Sequence, residues 1–446
     1  MTDAKLQIVQ LNTLDTVGGA AGVTGTLHEY FRSRGHFSLR VVGRKLGQDP
    51  DTVELRSAVR PSLLGRVGQF GRTVRRRAGL FAGLEDPGDP ASRHLESILP
   101  TGNEIIVCHN LHGGYFDLAG LADLSLRHPV VLVLHDAWLL AGHCAHSFDC
   151  DKWRSGCGGC PYLEVQYSLT RDTSHENWER KRDIYRRCRL HVITPSQWLM
   201  DKVEDSILKP AVIQSRVINN GVDSSIFCPG ARGGARQQLG ISGDEHVVMF
   251  AAHGIRESIW KDYATMRSAV AKAAQALPYQ RLRFLAVGES APDEHLGAAT
   301  VTFVPHQAPS ELAAFYRAAD LYIHAARAEN FPNTVLEALS CGTPVVATAV
   351  GGIPEQVKGL RLDGDASGLN LYGPGEATGV LTPAGDAEGL GFALCHLLGN
   401  KSLLEQLSVS AAKDAKERFS INRTGAQYLD FFDEVAAGFG RKRRDD

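Results

Sequence analysis

Short apolar runs alternate with stretches of helical spacing along the whole 446-residue chain, and they do so in two successive series. The first series occupies 6–11, 39–42, 105–108, 130–134 and 191–193; the second occupies 247–252, 283–287, 302–304, 321–325 and 345–349. Strands alternating with helices in this way build βαβ units and parallel sheets, so the chain is expected to be an α/β protein. Its length exceeds one ordinary core, which predicts two doubly wound, Rossmann-like domains. Turn residues and glycines accumulate in VINNGVDSSIFCPGARGGARQQ, from Val217, and place the junction there. The expected domains are 1–217 and 218–419.

The second series carries the densest chemistry, in AENFPNTVLEALSCGTPVVATAVGGIPEQ from Ala328. Asn333 reads as an N-cap, 334–340 as a short helix stopped by Gly342 and Pro344, and 345–350 as a buried strand. Glu329 is then expected in a loop and Glu337 about one turn inside the helix. The free N–H groups at such a helix start, near Asn333, Thr334 and Val335, attract phosphate. In parallel sheets ligands bind beyond the carboxyl ends of the strands. Three loops are expected there: the one holding Glu329, the Gly351–Gly352 loop, and the loop from Gly254 to Lys261. Arg256 and Lys261 offer two cations for a diphosphate, against the alternative of a solvated basic loop.

In the first series, Gly18 and Gly19 separate a strand from a helix expected to begin near Thr24, and small residues there admit a phosphate or sugar; a plain turn is the alternative. His135 and Asp136 end a buried strand and either face a ligand or form a structural pair. Cys144, Cys150, Cys157 and Cys160 lie in HCAHSFDCDKWRSGCGGCP, with a C-x2-C pair and two further cysteines close by. That spacing suits a closed, structural zinc site, with His143 or His146 as substitute ligands and free or redox-sensitive thiols as the alternative.

Lys and Arg total 48 against 50 Asp and Glu, which argues against a general polyanion binder and so against nucleic acid. No apolar run reaches the length of a membrane span, and the first residues enter a strand without a signal-peptide pattern. A cytoplasmic location is expected. Between 60 and 80, RPSLLGRVGQFGRTVRRRAGL sets an apolar stripe against six arginines. It reads either as an interfacial helix on anionic lipid, peripheral to the inner face of the membrane, or as an ordinary surface helix weakened by glycines. The closing RKRRDD reads as a disordered tail.

The segment ENFPNTVLE, with its E-x7-E spacing, resembles the retaining glycosyltransferases of family 4, in the branch that builds bacterial exopolysaccharides and related glycans. NNGVD, the loop from Arg256 to Lys261, HDAW from His135, and the Gly18–Gly19 loop support that resemblance. It implies the GT-B architecture, two Rossmann-like domains facing a central cleft, with the last helix, about 420–440, crossing back onto the first domain. It also implies an enzyme that moves a hexosyl unit from a UDP- or GDP-sugar to a saccharide or polyprenyl-linked glycan, with retention and without a catalytic metal. The resemblance assigns Arg256 and Lys261 to the diphosphate, Glu329 and His135 to the transferred sugar, and Glu337 to the ribose. Gly18, Gly19, Asn330, Phe331, Pro332, Asn333, Thr334 and Val335 would complete the donor site. Asn330 departs from a frequent glycine of the family. On the same scaffold, a phosphorylase, a sugar-phosphate synthase or a non-catalytic nucleotide-sugar-binding subunit are the competing readings.

Overall fold

The computed structural model describes residues 5–55, 74, 77–100, 104–165, 169–277, 281–362 and 367–445. The basic segment 60–80 lies almost wholly outside the described residues. The chain divides into two compact units, Met1–Asn219 with Thr424–Asp446, and Asn220–Arg423.

Each unit is built on one sheet, of seven strands among the described residues. In the first unit these are β1 (Gln7–Leu14), β2 (Phe37–Arg44), β3 (Thr52–Glu54), β4 (Ile105–Cys108), β5 (Val130–Val133), β6 (Leu190–Thr194) and β7 (Val212–Val217). They lie parallel in the order β3-β2-β1-β4-β5-β6-β7. The second unit has β8 (His246–Ala251), β9 (Leu282–Val287), β10 (Glu294–Leu296), β11 (Ala299–Val304), β12 (Leu321–His324), β13 (Val345–Thr348) and β14 (Gly379–Thr382). Their order is β10-β11-β9-β8-β12-β13-β14, all parallel apart from the antiparallel β10–β11 pair.

Every one of the ten expected runs carries a strand. The central strands are apolar because helices cover both of their faces: Ile105, Ile106, Val107 and Cys108 are all buried, as are Val345, Val346 and Ala347. In each sheet the strand order reverses beside the first strand, between β1 and β4 and between β8 and β12. Loops leaving two such strands diverge to opposite faces, and the crevice between them is where doubly wound sheets take ligands.

The last helix, Ile421–Asp445, leaves the second unit and packs on the first. Tyr428 and Phe432 set their rings 6.5 and 5.7 Å from Phe31, and Arg216 bridges to Glu434 at 2.9 Å. This helix runs on through the segment expected to be a disordered tail. Two further local expectations are corrected. The helix expected near Thr24 starts at Gly19, because Gly18 (φ 94°) makes the turn at once. Pro332, not Asn333, precedes the helix Asn333–Ser340, and Asn333 spends its side-chain oxygen on Asn220 Nδ2 at 2.9 Å.

Candidate functional site

Three loops of the second unit are locked together beyond the β8/β12 switch. Lys261 and Ala326 form a β-bridge, Asp262 N–H donates to Ala325 O (3.0 Å) and Arg327 N–H to Trp260 O (2.8 Å). The loop after β8 is thereby stitched to the loop after β12. On the other side Gly352 N–H donates to Asn330 O at 2.7 Å. Gly351, at φ 58°, lies so close that a Cβ there would sit 1.8 Å from Glu329 O. Thr348 Oγ1 accepts from Ala326 N–H (2.9 Å), which ties in the end of β13.

This frame holds a charged cluster. The Lys261 ammonium is hydrogen-bonded to Glu329 Oε2, and His324 Nε2 stands 3.5 Å from the same oxygen. His324 is fully buried, and burial together with the nearby lysine lowers its pKa to about 4, so it is neutral at pH 7. Its Nδ1 lies 3.3 Å from Tyr322 Oη, whose O–H also reaches Ala251 O at 3.4 Å. Burial by itself would raise Glu329, but the Lys261 and His324 contacts win and hold its carboxyl well below the usual range. About 17% of the Glu329 side chain remains exposed, enough for an ionised acceptor to meet a ligand hydroxyl.

Glu337 has the opposite character. Burial pushes its carboxyl up to about 7, against the hydrogen bond that Tyr316 Oη donates at 2.9 Å. One carboxylate is therefore permanently charged, and the other titrates near neutrality.

The other predicted residues divide. Arg256 turns away from the cluster: its Nε donates to Glu289 Oε1 (2.5 Å), its N–H to Glu289 Oε2 (3.0 Å), and its guanidinium lies 5.2 Å from the Phe303 ring centre. Phe331, Pro332 and Val335 bury their side chains, so they offer a ligand only backbone; Phe331 packs 6.0 Å from Phe419. Asn330 is also buried. Thr334 and Asn333, at the helix start, are half-buried.

In the first unit, Gly18 and Gly19 are exposed, and a Cβ at either would meet nothing within 4 Å. Backbone conformation alone therefore demands glycine at position 18. His135, after β5, joins a buried relay: His135 Nε2 lies 2.9 Å from His109 Nδ1, and His109 Nε2 lies 3.1 Å from Gln10 Oε1. Burial lowers His135 to about 4, so the imidazole is neutral. Asp136 pairs with His112 Nε2 at 3.0 Å and accepts from Trp138 N–H at 2.9 Å.

His324, Tyr316, His109 and Gln10 were not singled out in the sequence. His324 carried a readable signal, a histidine next to the end of the run 321–325 and five positions before Glu329. Tyr316 lies in a helix of another βα unit and carried none.

Among the described residues, the group whose metal-ligating atoms all lie within 4.8 Å is His28, Asp49 and Asp51. Arginines already neutralise its acids: Arg40 meets Asp49 at 2.9 Å and Arg32 meets Asp51 at 2.7 Å. It is an ion-pair cluster, not a ready cation site.

Residues 245–400 match the family model of glycosyl transferases group 1, over the segment that holds Lys261, Glu329 and Glu337. The match covers this segment of the second unit, not the whole chain. Two D-inositol 3-phosphate glycosyltransferases are similar to it. That of Segniliparus rotundus is 39% identical over 163 residues, 33% of this chain and 35% of the relative. That of Saccharomonospora viridis is 32% identical over 239 residues, 50% of this chain and 51% of the relative. The chain thus spans a third to a half of the length of these relatives. Among solved structures, sucrose-phosphate synthase from Thermosynechococcus elongatus superposes with a TM-score of 0.63 at 18% identity, covering 97% of this chain and 100% of that one. Anabaena HepE in complex with UDP-glucose gives 0.61 at 18%, covering 96% and 100%. The chain accordingly has the GT-B fold of two Rossmann-like domains.

Proposed function

We propose that this protein transfers a hexosyl unit from a nucleoside diphosphate sugar to a saccharide acceptor, with retention at the anomeric carbon. The observation that carries the reading is the Lys261–Glu329–His324 cluster beyond the strand-order switch of the second unit, next to a helix that carries Glu337. As the glycosidic bond breaks, negative charge collects on the departing diphosphate, and a preplaced cation lowers that barrier. Lys261 is the cation whose place is fixed by backbone pairing on both sides. In the free protein Glu329 neutralises it; a bound donor would divide the pair, with sugar hydroxyls donating to Glu329 and phosphate oxygens taking Lys261. The buried His324 ring, 3.5 Å from Glu329 Oε2, walls the carboxylate on one side and keeps it in position for that exchange. Glu337, an acceptor when ionised, suits the ribose diol.

The first unit takes the acceptor, and the His109–His135 relay supplies its polar wall. No side chain in the cluster is placed as a nucleophile, and a departing phosphate oxygen is the base that removes the acceptor proton. A polyprenyl-linked glycan at an anionic inner membrane face is the acceptor class suggested by the basic segment 60–80. The names of the relatives add a phosphorylated polyol to the panel, and HepE puts UDP-glucose first among donors.

The deciding experiment incubates the purified chain with UDP- and GDP-sugars and follows slow release of free sugar, with and without added magnesium or manganese. Release from one donor, unchanged by those metals, is expected. Binding of a nucleotide-sugar without its cleavage leaves the non-catalytic reading, and failure to bind any of them overturns both. The anomeric configuration of the glycoside product, read by NMR, tests retention.

A further inference from the structure

The four cysteines between the HDAW segment and the helix Ser174–Tyr185 all line one small cavity of about 20 Å³, together with His143, Lys152 and Trp153. We infer that Cys144, Cys150, Cys157 and Cys160 hold one zinc ion as four thiolates, a structural site of the first unit, independent of the donor chemistry.

The backbone around the thiols is built at a cost in conformational freedom. Among the described residues, the non-glycine positions with positive φ are Phe148 (49°) and Cys157 (52°), and both fall in this segment. Gly156, Gly158 and Gly159 are also at positive φ, so the chain doubles back between Cys157 and Cys160 and turns both toward the same cavity. Side chains that are rarely left-handed persist there only where the surroundings over-determine them, and such strain gathers at functional positions.

The loop is then clamped from outside. Lys152 Nζ donates to Gly158 O (3.1 Å) and Gly159 O (2.6 Å), and Gly158 N–H donates to Ser174 Oγ (2.9 Å). Cys160 N–H donates to Asp172 Oδ2 (2.8 Å), and His175 Nδ1 donates to Gly156 O (2.6 Å). Donors also reach the sulfur itself: Tyr162 N–H lies 3.4 Å and His143 Nε2 lies 3.3 Å from Cys160 Sγ. Such N–H groups stabilise a thiolate.

The charge balance fits as well. One Zn²⁺ and four thiols give a tetrathiolate of net charge −2 and four protons released to solvent. Lys152 lines the cavity, and the Lys202 ammonium, stacked 4.6 Å from the Trp153 ring centre, interacts through space with Cys144 and Cys150. Buried Lys181 does the same with Cys144. Lys181 is also paired with Glu85 (3.2 Å) and Lys202 feels Asp151, and the three cations together favour a dianion at this place. Four sulfurs complete a tetrahedron with no open position, which makes the ion structural and not catalytic. Among the described residues no three of these sulfurs close to within 4.8 Å of one another, so loading draws the loop together. Ala137 N–H donates to Ala145 O at 2.8 Å, so that contraction acts one residue from both Cys144 and Asp136.

Elemental analysis of the full chain as purified, with titration of its thiols, is the test. One zinc per chain is expected, with four of the nine thiols protected until a chelator removes the ion. Cobalt(II) added to the stripped protein should give an intense thiolate-to-metal charge-transfer band in the near ultraviolet, lost in Cys157→Ser. The cobalt spectrum of the unaltered chain keeps the test decisive if that variant fails to fold. Less than a tenth of an equivalent of zinc, all nine thiols titratable and no charge-transfer band overturn the assignment, as does stoichiometric iron in place of zinc. Nucleotide-sugar turnover is not part of this readout, so its failure would count against the proposed function alone.

Discussion

Glu329 and Glu337 are the same residue type eight positions apart, and their surroundings drive them in opposite directions. Glu329 meets an ammonium and, at 3.5 Å, an imidazole nitrogen, and stays ionised; Glu337 meets one phenol in an apolar setting that pushes its carboxyl up to about 7. The ionised form accepts from both hydroxyls of a ribose diol more strongly than the acid does, so UDP or GDP affinity should rise as pH rises through about 7, and Glu337→Gln should remove that step in calorimetric titrations. Stability must run the other way. The folded pKa lies above the unfolded value, so between about 4.5 and 7 the unfolded chain loses a proton that the folded chain keeps, and stability falls across that window. Glu337→Gln should therefore gain about 1–3 kcal/mol relative to the parent between pH 4 and pH 8, read by urea unfolding at each pH. A constant difference would place the carboxyl in water.

The two basic residues of the loop after β8 also part company. Lys261 contacts Glu329, whereas the Arg256 guanidinium is 44% exposed and held by Glu289. Lys261→Ala should cost about 10²-fold or more in kcat, the scale of one lost transition-state donor. Arg256→Ala should cost several-fold less. Equal losses would show that Arg256 leaves Glu289 when a donor binds.

At the scale of elements, the site is a set of loops whose mutual register is fixed by backbone contacts. Gly351 is the tightest of these, since it combines a left-handed φ with a carbonyl where its Cβ would be. Gly351→Ala should destabilise by about 2–4 kcal/mol and weaken nucleotide binding together with stability. Chemical denaturation with and without UDP would measure both, and a neutral result would show that the two loops are free to part. Strands buried on both faces were legible because most residues in them are apolar. Four strands were not: β3 and β10 are three residues long, β14 is a four-residue run opened by a glycine, and β7 mixes Gln, Ser and Arg at a sheet edge. Edge strands need only one dry face, so their composition resembles that of loops. The glycine-rich segment from Gly359 is pinned where described, with Asn370 bonded to both the N–H (2.9 Å) and the O (2.8 Å) of Leu381.

For the molecule as a whole, two cores predict two unfolding events. A nucleotide that binds the second unit raises the midpoint of that transition by mass action and leaves the other unmoved. Scanning calorimetry with a saturating nucleoside diphosphate should show one shifted transition, unless the units melt as one. The last helix belongs to the first core, where Phe432 is fully buried against Phe31. Phe432→Ala should cost about 3–5 kcal/mol and lower the first unit's midpoint, not the nucleotide-sensitive one.

Local pattern determined the strands, the α/β class, the two-domain division and the carriers of charge, because strand burial and helix punctuation are written in neighbouring residues. The tertiary structure alone decided which charges meet. Lys261 reaches Glu329 across 68 positions and Arg256 reaches Glu289 across 33, through strand order that no short segment encodes. It also decided the protonation of Glu337, since a carboxyl's pKa is set by the atoms packed around it and Tyr316 comes from another helix.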